Sequence, residues 1–301
     1  MNVIYYNTIP CQETYKSSGL PCKNNAYYFY KGKYVCGVHS KKNDRTKLPI
    51  DPNANEKKQR ILDLRMEKVH SEAKHNMDQN KKGQVICSKM RMMKQPEEIE
   101  GFLKVFPNFK HGNRKDGFGC PSLSPKDMGP IDHGQPNLPP AKNLENYHQS
   151  AKTFPSEVDK DGNPTKKFYE TRLKMYQDNE PHRHKEEAKS AGKNKNIPLY
   201  SIWVRKDGTE KRCTYLESRQ FYCNFYERIA KTLPDFKYLQ DRINEGYNIQ
   251  ICGYDAYPIT KTIEEHYLDT TKPFGHELVL YTLLTENEDN YPWRKYKTEE
   301  F

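Results

Sequence analysis

The stretch YNIQICGYD, residues 247–255, is a short run centred on two isoleucines and a cysteine, preceded by Gly246 and closed by Gly253. Ile249, Ile251 and Cys252 are followed by no charged residue before Asp255, the pattern of a strand buried on both faces. The segments around it supply the partners such a strand needs. PDFKYLQDRINEG, 234–246, reads as a helix ended by a glycine suited to a left-handed C-terminal position. ESRQFYCNFYERIAKT, 217–232, is a second helix, and SIWVRKDGTEKRCTYL, 201–216, a hairpin turning at Asp207-Gly208. PFGHELVLYTLL, 273–284, suits helix or strand. Pro273 at its start, with only Val279 and Thr282 β-branched, favours helix. Residues 197–301 are therefore expected to form a C-terminal α/β domain with a hairpin, several helices and a buried strand.

Upstream the pattern changes. From Pro107 to Pro164 there are nine prolines and six glycines, too many for long helices or central strands. Phe106, Phe109, Phe118, Leu123, Ile131, Leu138, Tyr147 and Phe154 recur through it, as in an ordered segment that docks at intervals. Residues 84–196 are expected to be such a loop-rich wrap. TKKFYETRLKMYQDN, 165–179, is its one short helix and EEAKSAGKNKN, 186–196, the linker candidate. Residues 50–83 read as an amphipathic helix with Leu62, Met66, Val69, Ala73 and Met77 on one stripe, which suits a helix lying on the rest of the protein. AYYFYKGKYVC, 26–36, is a hairpin around Lys31-Gly32 within a small module, 1–49. The fold class expected for the whole is mixed, α+β and α/β.

Only 34% of the 301 residues are hydrophobic, yet 22 Tyr and 12 Phe demand burial or stacking, which argues against a disordered chain. A formal charge of +10 favours an acidic partner, nucleic acid being the commonest, although plain solubility is the simpler account of charge alone. No apolar run reaches membrane-spanning or signal-peptide length, so a soluble, non-secreted protein with no membrane partner is expected.

Cys11, Cys22, Cys36 and His39 give the spacing C-x10-C-x13-C-x2-H. Four N/S ligands suit tetrahedral zinc, and a set with no open position implies a structural ion that supplies folding energy to a module with little core. The first two cysteines are far apart for a knuckle, which makes Cys11 the least secure ligand. Dispersed cysteines, three of them near His39, fit a reducing compartment better than a disulfide framework. Lys23, Lys31, Lys33, Lys41, Lys42, Arg45 and Lys47 surround Tyr27, Tyr28, Phe29 and Tyr30, a mixture able to neutralise phosphates and stack on bases. The plainer alternative makes the aromatics the module's own core and the lysines its solvated face.

The assembled order of GLPCKNNAYYFYKGKYVCGVHSKK, PHRHK, ESRQFYCNFYERIA, GYNIQICGYDAYPI, PFGHELVLYTLL and YPWRKY resembles uncharacterised proteins of giant DNA viruses of the mimivirus kind. The resemblance covers nearly the whole chain. It implies a setting, in host cytoplasm, a viral factory or a virion, and brings no activity with it.

A second constellation belongs to the C-terminal region. Asp255 follows the buried strand, where α/β sheets bind ligands. His276 and Glu277 would open a helix whose free amides favour anions. With Glu217, Arg219 and Glu227 they are candidates for an acid/base cluster around a phosphate-bearing ligand. The plainer alternative assigns Arg219 and Glu227 to ion pairs and Glu277 to the helix dipole. PHRHK, 181–185, with Cys120, His111 and His133 could supply a second metal site, although their wide separation makes surface histidines the better reading. The sequence thus favours a non-enzymatic, zinc-containing protein that binds nucleic acid or a viral assembly containing it, over a hydrolase of nucleotide or nucleic-acid bonds or a purely structural component.

Overall fold

The structure, a computed structural model, describes residues 3–91, 94–189 and 196–296. Helices and sheets are mixed, as expected, and the chain divides into two units after Arg65. No helix among the described residues is long and apolar enough to cross a membrane.

In the first unit, β1 (Tyr28–Tyr30) and β2 (Lys33–Val35) form the hairpin expected from the sequence, and β3 (Thr46–Lys47) pairs antiparallel with the other edge of β1. Lys31 and Gly32 turn the hairpin with φ of 48° and 75°, the two positive angles that a two-residue turn of matching twist requires. Helix α1 (Ala54–Asp78) follows, and the division between units falls inside it. Of its expected stripe, Val69 and Ala73 are buried, Met66 packs against the large core and Met77 is exposed.

The second unit is built on a parallel sheet in the order β4 (Val85–Lys89), β10 (Asn248–Gly253), β5 (Phe102–Phe106), β6 (Phe118–Gly119). Every residue of β10 is buried, as expected from its uncharged run. Ile249 and Ile251 are wholly buried, each removal from water favouring the fold by about 1.5–3 kcal/mol. Gln250 fits between them because its side-chain amide donates to Ser88 Oγ at 2.9 Å and to the Glu97 carbonyl at 3.0 Å.

This sheet changes the expected division at 196/197. β4 and β5 come from the 84–196 segment and flank β10, so that segment supplies sheet as well as wrap. Its short runs VICSK and FLKVF become strands by pairing with β10, about 145–165 residues away in sequence, an interaction no local pattern announces.

The wrap itself docks at intervals. Phe106, Leu123, Ile131, Tyr147 and Phe154 are buried, while Phe118 and Leu138 pack partly buried on the core. It carries α2 (Leu144–Ser150), β7 (Lys152–Thr153), α3 (Lys166–Gln177) and α4 (Lys185–Ala188). The linker candidate 186–196 begins with the last turn of α4, where Glu186 is buried, and residues 190–195 lie outside the described residues. β8 (Tyr200–Val204) and β9 (Glu210–Cys213) form the Asp207-Gly208 hairpin, with β7 on the free edge of β8. Helices α5 (Tyr215–Ala230), α6 (Pro234–Asn244), α7 (Ile263–Leu268), α8 (His276–Thr285) and α9 (Pro292–Lys295) complete the unit. The ambiguous segment 273–284 is thus helical. α5 and α7 each begin with a capping box, Thr214 with Glu217 and Thr262 with Glu265.

Gly83 enters β4 so close to the sheet that a methyl group on it would lie 1.8 Å from the Tyr247 carbonyl oxygen. Backbone cannot yield as a side chain can. We expect Gly83→Ala to lower the urea midpoint, at a cost of about 1–3 kcal/mol; an unchanged midpoint would contradict this packing.

Candidate metal centre and the basic surface around it

Two arms and a knuckle bring the metal ligands together. Residues 10–14 and 21–25 pair as antiparallel arms through bridges Pro10↔Asn25 and Thr14↔Pro21, with Cys11 N donating to the Asn24 carbonyl and Cys22 N to the Glu13 carbonyl, both at 2.8 Å. Gly19, at φ 66°, lets the loop between the arms reverse. The ten-residue spacing therefore places Cys11 and Cys22 beside each other. Cys36 follows β2, and a single 3-10 turn over Gly37–His39 returns the imidazole to it.

The donor atoms of Cys11, Cys22, Cys36 and His39 all lie within 4.8 Å of one another, the three cysteines buried and the histidine partly so. His39 Nδ1 is 3.4 Å from both Cys11 Sγ and Cys36 Sγ, and Cys22 Sγ is 3.9 Å from Cys36 Sγ. These residues form a possible metal site. All eight cysteines are among the described residues, and none is in a disulfide.

The thiols differ in acidity. Burial raises Cys36, but hydrogen bonds from the Asn24 side chain and from the His39 and Val38 amides outweigh it and bring the thiol down to about 7. Burial raises Cys11 despite backbone amides directed at its sulfur. Elsewhere, burial pushes Cys87, Cys120 and Cys223 well up and Cys252 up to about 12, as befits inert core thiols.

Around this centre the aromatics divide by strand alternation. Tyr28 and Tyr30 pack on the cysteine core with Val35, whereas Tyr27 and Phe29 face outward, about two-fifths exposed. Tyr34, opposite Phe29 in the register, joins that outer face. Of the basic residues, Lys33 pairs with Glu13 at 2.9 Å. The Arg45 guanidinium lies 3.7 Å from the centre of the Tyr28 ring. Lys23, Lys31, Lys41, Lys42 and Lys47 are exposed.

The C-terminal candidates part company. Arg219 is buried and donates to the carbonyls of Tyr267, Asp269 and Lys272, clamping the chain after α7. Glu227 accepts from Lys231, Trp293 Nε1 and Arg294, and burial is outweighed by these donors so that its carboxyl is held below the ordinary range. Glu217 caps α5 and pairs with Lys211. These three are engaged in holding the fold.

His276 and Glu277 meet at the carboxyl end of β10, and Asp255 lies near them across Gly275. A methyl group on Gly275 would lie 3.1 Å from Glu277 Oε2 and 3.9 Å from Asp255 Oδ2. His276 Nε2 lies 2.8 Å from the Pro107 carbonyl, and Nδ1 lies 3.2 Å from Glu277 Oε2. The Nε2 proton therefore ties α8 to the end of β5. Of the two carboxylates only Asp255 is exposed at this end, Glu277 being fully buried.

The remaining histidines are not surface groups throughout. His133 is buried beside Tyr147 and Tyr176, the three rings forming one cluster, and His184 is buried at 3.3 Å from Glu157. Their partners differ, and among the described residues only the N-terminal set groups three or more potential ligands.

No protein-family profile, curated protein or solved structure matches this chain.

Glu277 is sealed against Gly253, on which a methyl group would fall 2.0 Å from Oε1. Gly253→Ala should destabilise by about 1–3 kcal/mol, and by clearly less in a Glu277→Ala background, since truncation opens the space. Additive losses in this cycle, read from chemical denaturation, would contradict the contact.

Proposed function

We propose that this chain is a non-enzymatic, zinc-stabilised protein that binds nucleic acid through its N-terminal module. The observation that carries the reading is a coincidence within residues 1–49: a closed metal site and most of the net charge. These residues hold seven Lys and one Arg against one Asp and one Glu, a net +6 of the chain's +10.

The donor set favours zinc. Bonds of about 2.3 Å to sulfur and 2.0–2.1 Å to nitrogen arranged tetrahedrally separate the donors by roughly 3.5–3.8 Å, and the distances of 3.4 and 3.9 Å bracket that range. Three thiolates and one imidazole leave no position for a reacting water, so the ion's role is to hold the module together. A thiol at about 7 on Cys36 favours loading at neutral pH, and binding weakens as protons compete at lower pH.

Nucleic acid fits the exposed lysines because neutralising phosphates releases condensed counterions. The resemblance to giant-virus proteins adds a setting for this reading, a viral factory or virion assembly that contains nucleic acid. The hydrolase alternative has less support, since Arg219, Glu217 and Glu227 are engaged in structural contacts.

Metal analysis of protein prepared without chelator should find one zinc per chain. Cys36→Ser or His39→Ala should lose it and open residues 1–49 to proteolysis, with the second unit still protected; metal-free protein with an intact module would refute the zinc claim. In a salt titration the log–log slope of binding to a single strand should be about −3.5 for five neutralised phosphates. Lys41→Glu with Lys42→Glu should flatten it without loss of zinc. Failure to bind any nucleic acid at low salt would overturn the reading.

A further inference from the structure

The nucleic-acid reading leaves open which form of nucleic acid the module takes, and the outer face of its sheet bears on this. We infer that this face is a stacking platform for single-stranded nucleic acid, with Phe29 and Tyr34 as its centre and Tyr27 as a second place. The inference rests on the proposed nucleic-acid binding and narrows it to unpaired bases.

Strand alternation sends successive side chains to opposite faces. In β1 the inward positions, Tyr28 and Tyr30, are taken up by the cysteine core. Phe29 and Tyr34 are directly opposite each other across β1 and β2, with ring centroids 5.2 Å apart. Phe29 is 41% and Tyr27 42% exposed. Tyr27 lies two residues before Phe29, about 6.6 Å along the strand, and is itself stacked on Tyr6 at 5.1 Å. A module this small could have buried these rings only by enlarging its core, and the cluster of cysteines and His39 takes that place.

The charge of the module decides between occupants. Lys31 at the hairpin turn, its ammonium 5.6 Å from the centre of the Tyr30 ring, and Lys41 and Lys42 after the knuckle are exposed, in a module of net charge +6. An apolar protein surface would not account for that charge, whereas a polyanion with unpaired aromatic bases satisfies both rings and lysines. Base stacking on an aromatic side chain contributes about 1–3 kcal/mol per base, and only an unpaired strand exposes base faces to it. A duplex offers phosphates alone to such a face.

The test is fluorescence anisotropy of the zinc-loaded, full-length chain with labelled 12-mers of oligothymidylate and oligouridylate and with a 12-base-pair duplex. We expect either single strand to bind at least tenfold more tightly than the duplex. Phe29→Leu and Tyr34→Leu, which keep apolar bulk and remove the ring, should each weaken single-strand binding by about 5–100-fold while duplex binding and zinc content stay unchanged. Tighter binding of oligothymidylate or of oligouridylate identifies DNA or RNA, and both support the platform. Equal binding of strand and duplex, or leucine variants that bind single strands as wild type does, would overturn the stacking inference and leave the charge-based reading standing. Absence of binding to all three probes at low salt would overturn both.

Discussion

The first unit depends on one constraint, the meeting of three thiols and an imidazole. Apart from those cysteines its buried apolar residues among the described ones are few, chiefly Ala26, Val35 and Leu48. Hydrophobic burial on that scale does not offset the entropy of ordering some fifty residues. A cation that neutralises the thiolates and fixes four points of the chain does. The arms at 10–14 and 21–25, the hairpin and the turn to His39 all converge on the same place, so the strands keep their register because the ligands keep theirs.

That arrangement has a consequence for the surface. A module whose interior is the cluster of three thiols and an imidazole need not bury its aromatic side chains, and alternation along β1 then assigns Tyr28 and Tyr30 to the interior and Tyr27 and Phe29 to solvent. The second unit shows the opposite economy. There β10 is buried throughout, its ends are fixed by glycines, and charged groups such as Arg219 and Glu227 are enclosed with several partners each. Its buried histidines and carboxylates hold elements together, and the Asp255–His276–Glu277 group at the end of β10 is packed against glycine backbone.

Much of this was legible in the sequence where the signal was local. The uncharged run in β10, the turns at Lys31-Gly32 and Asp207-Gly208, the glycine ending α6 and the ligand types at 11, 22, 36 and 39 each carry their own physical reason. What escaped depended on distant pairing. VICSK and FLKVF are too short and too mixed to announce central strands, and they become so only beside β10. The long Cys11–Cys22 spacing looked unfavourable until its loop folded back. The sequence made Arg219 and Glu227 candidates for an acid/base cluster but said nothing of the carbonyls and the indole that occupy them. Alternation along β1 separates Tyr28 and Tyr30 from Tyr27 and Phe29, but which of the two faces is inward depends on where the cysteines meet.

The central claim is that the four N-terminal side chains hold a single zinc ion as a closed tetrahedral site. X-ray absorption at the zinc edge of the loaded full-length chain measures this directly. The account predicts a first shell of three sulfurs at about 2.3 Å and one nitrogen at about 2.0–2.1 Å. A shell of oxygen and nitrogen ligands, or one with fewer than three sulfurs and a bound water, would contradict it.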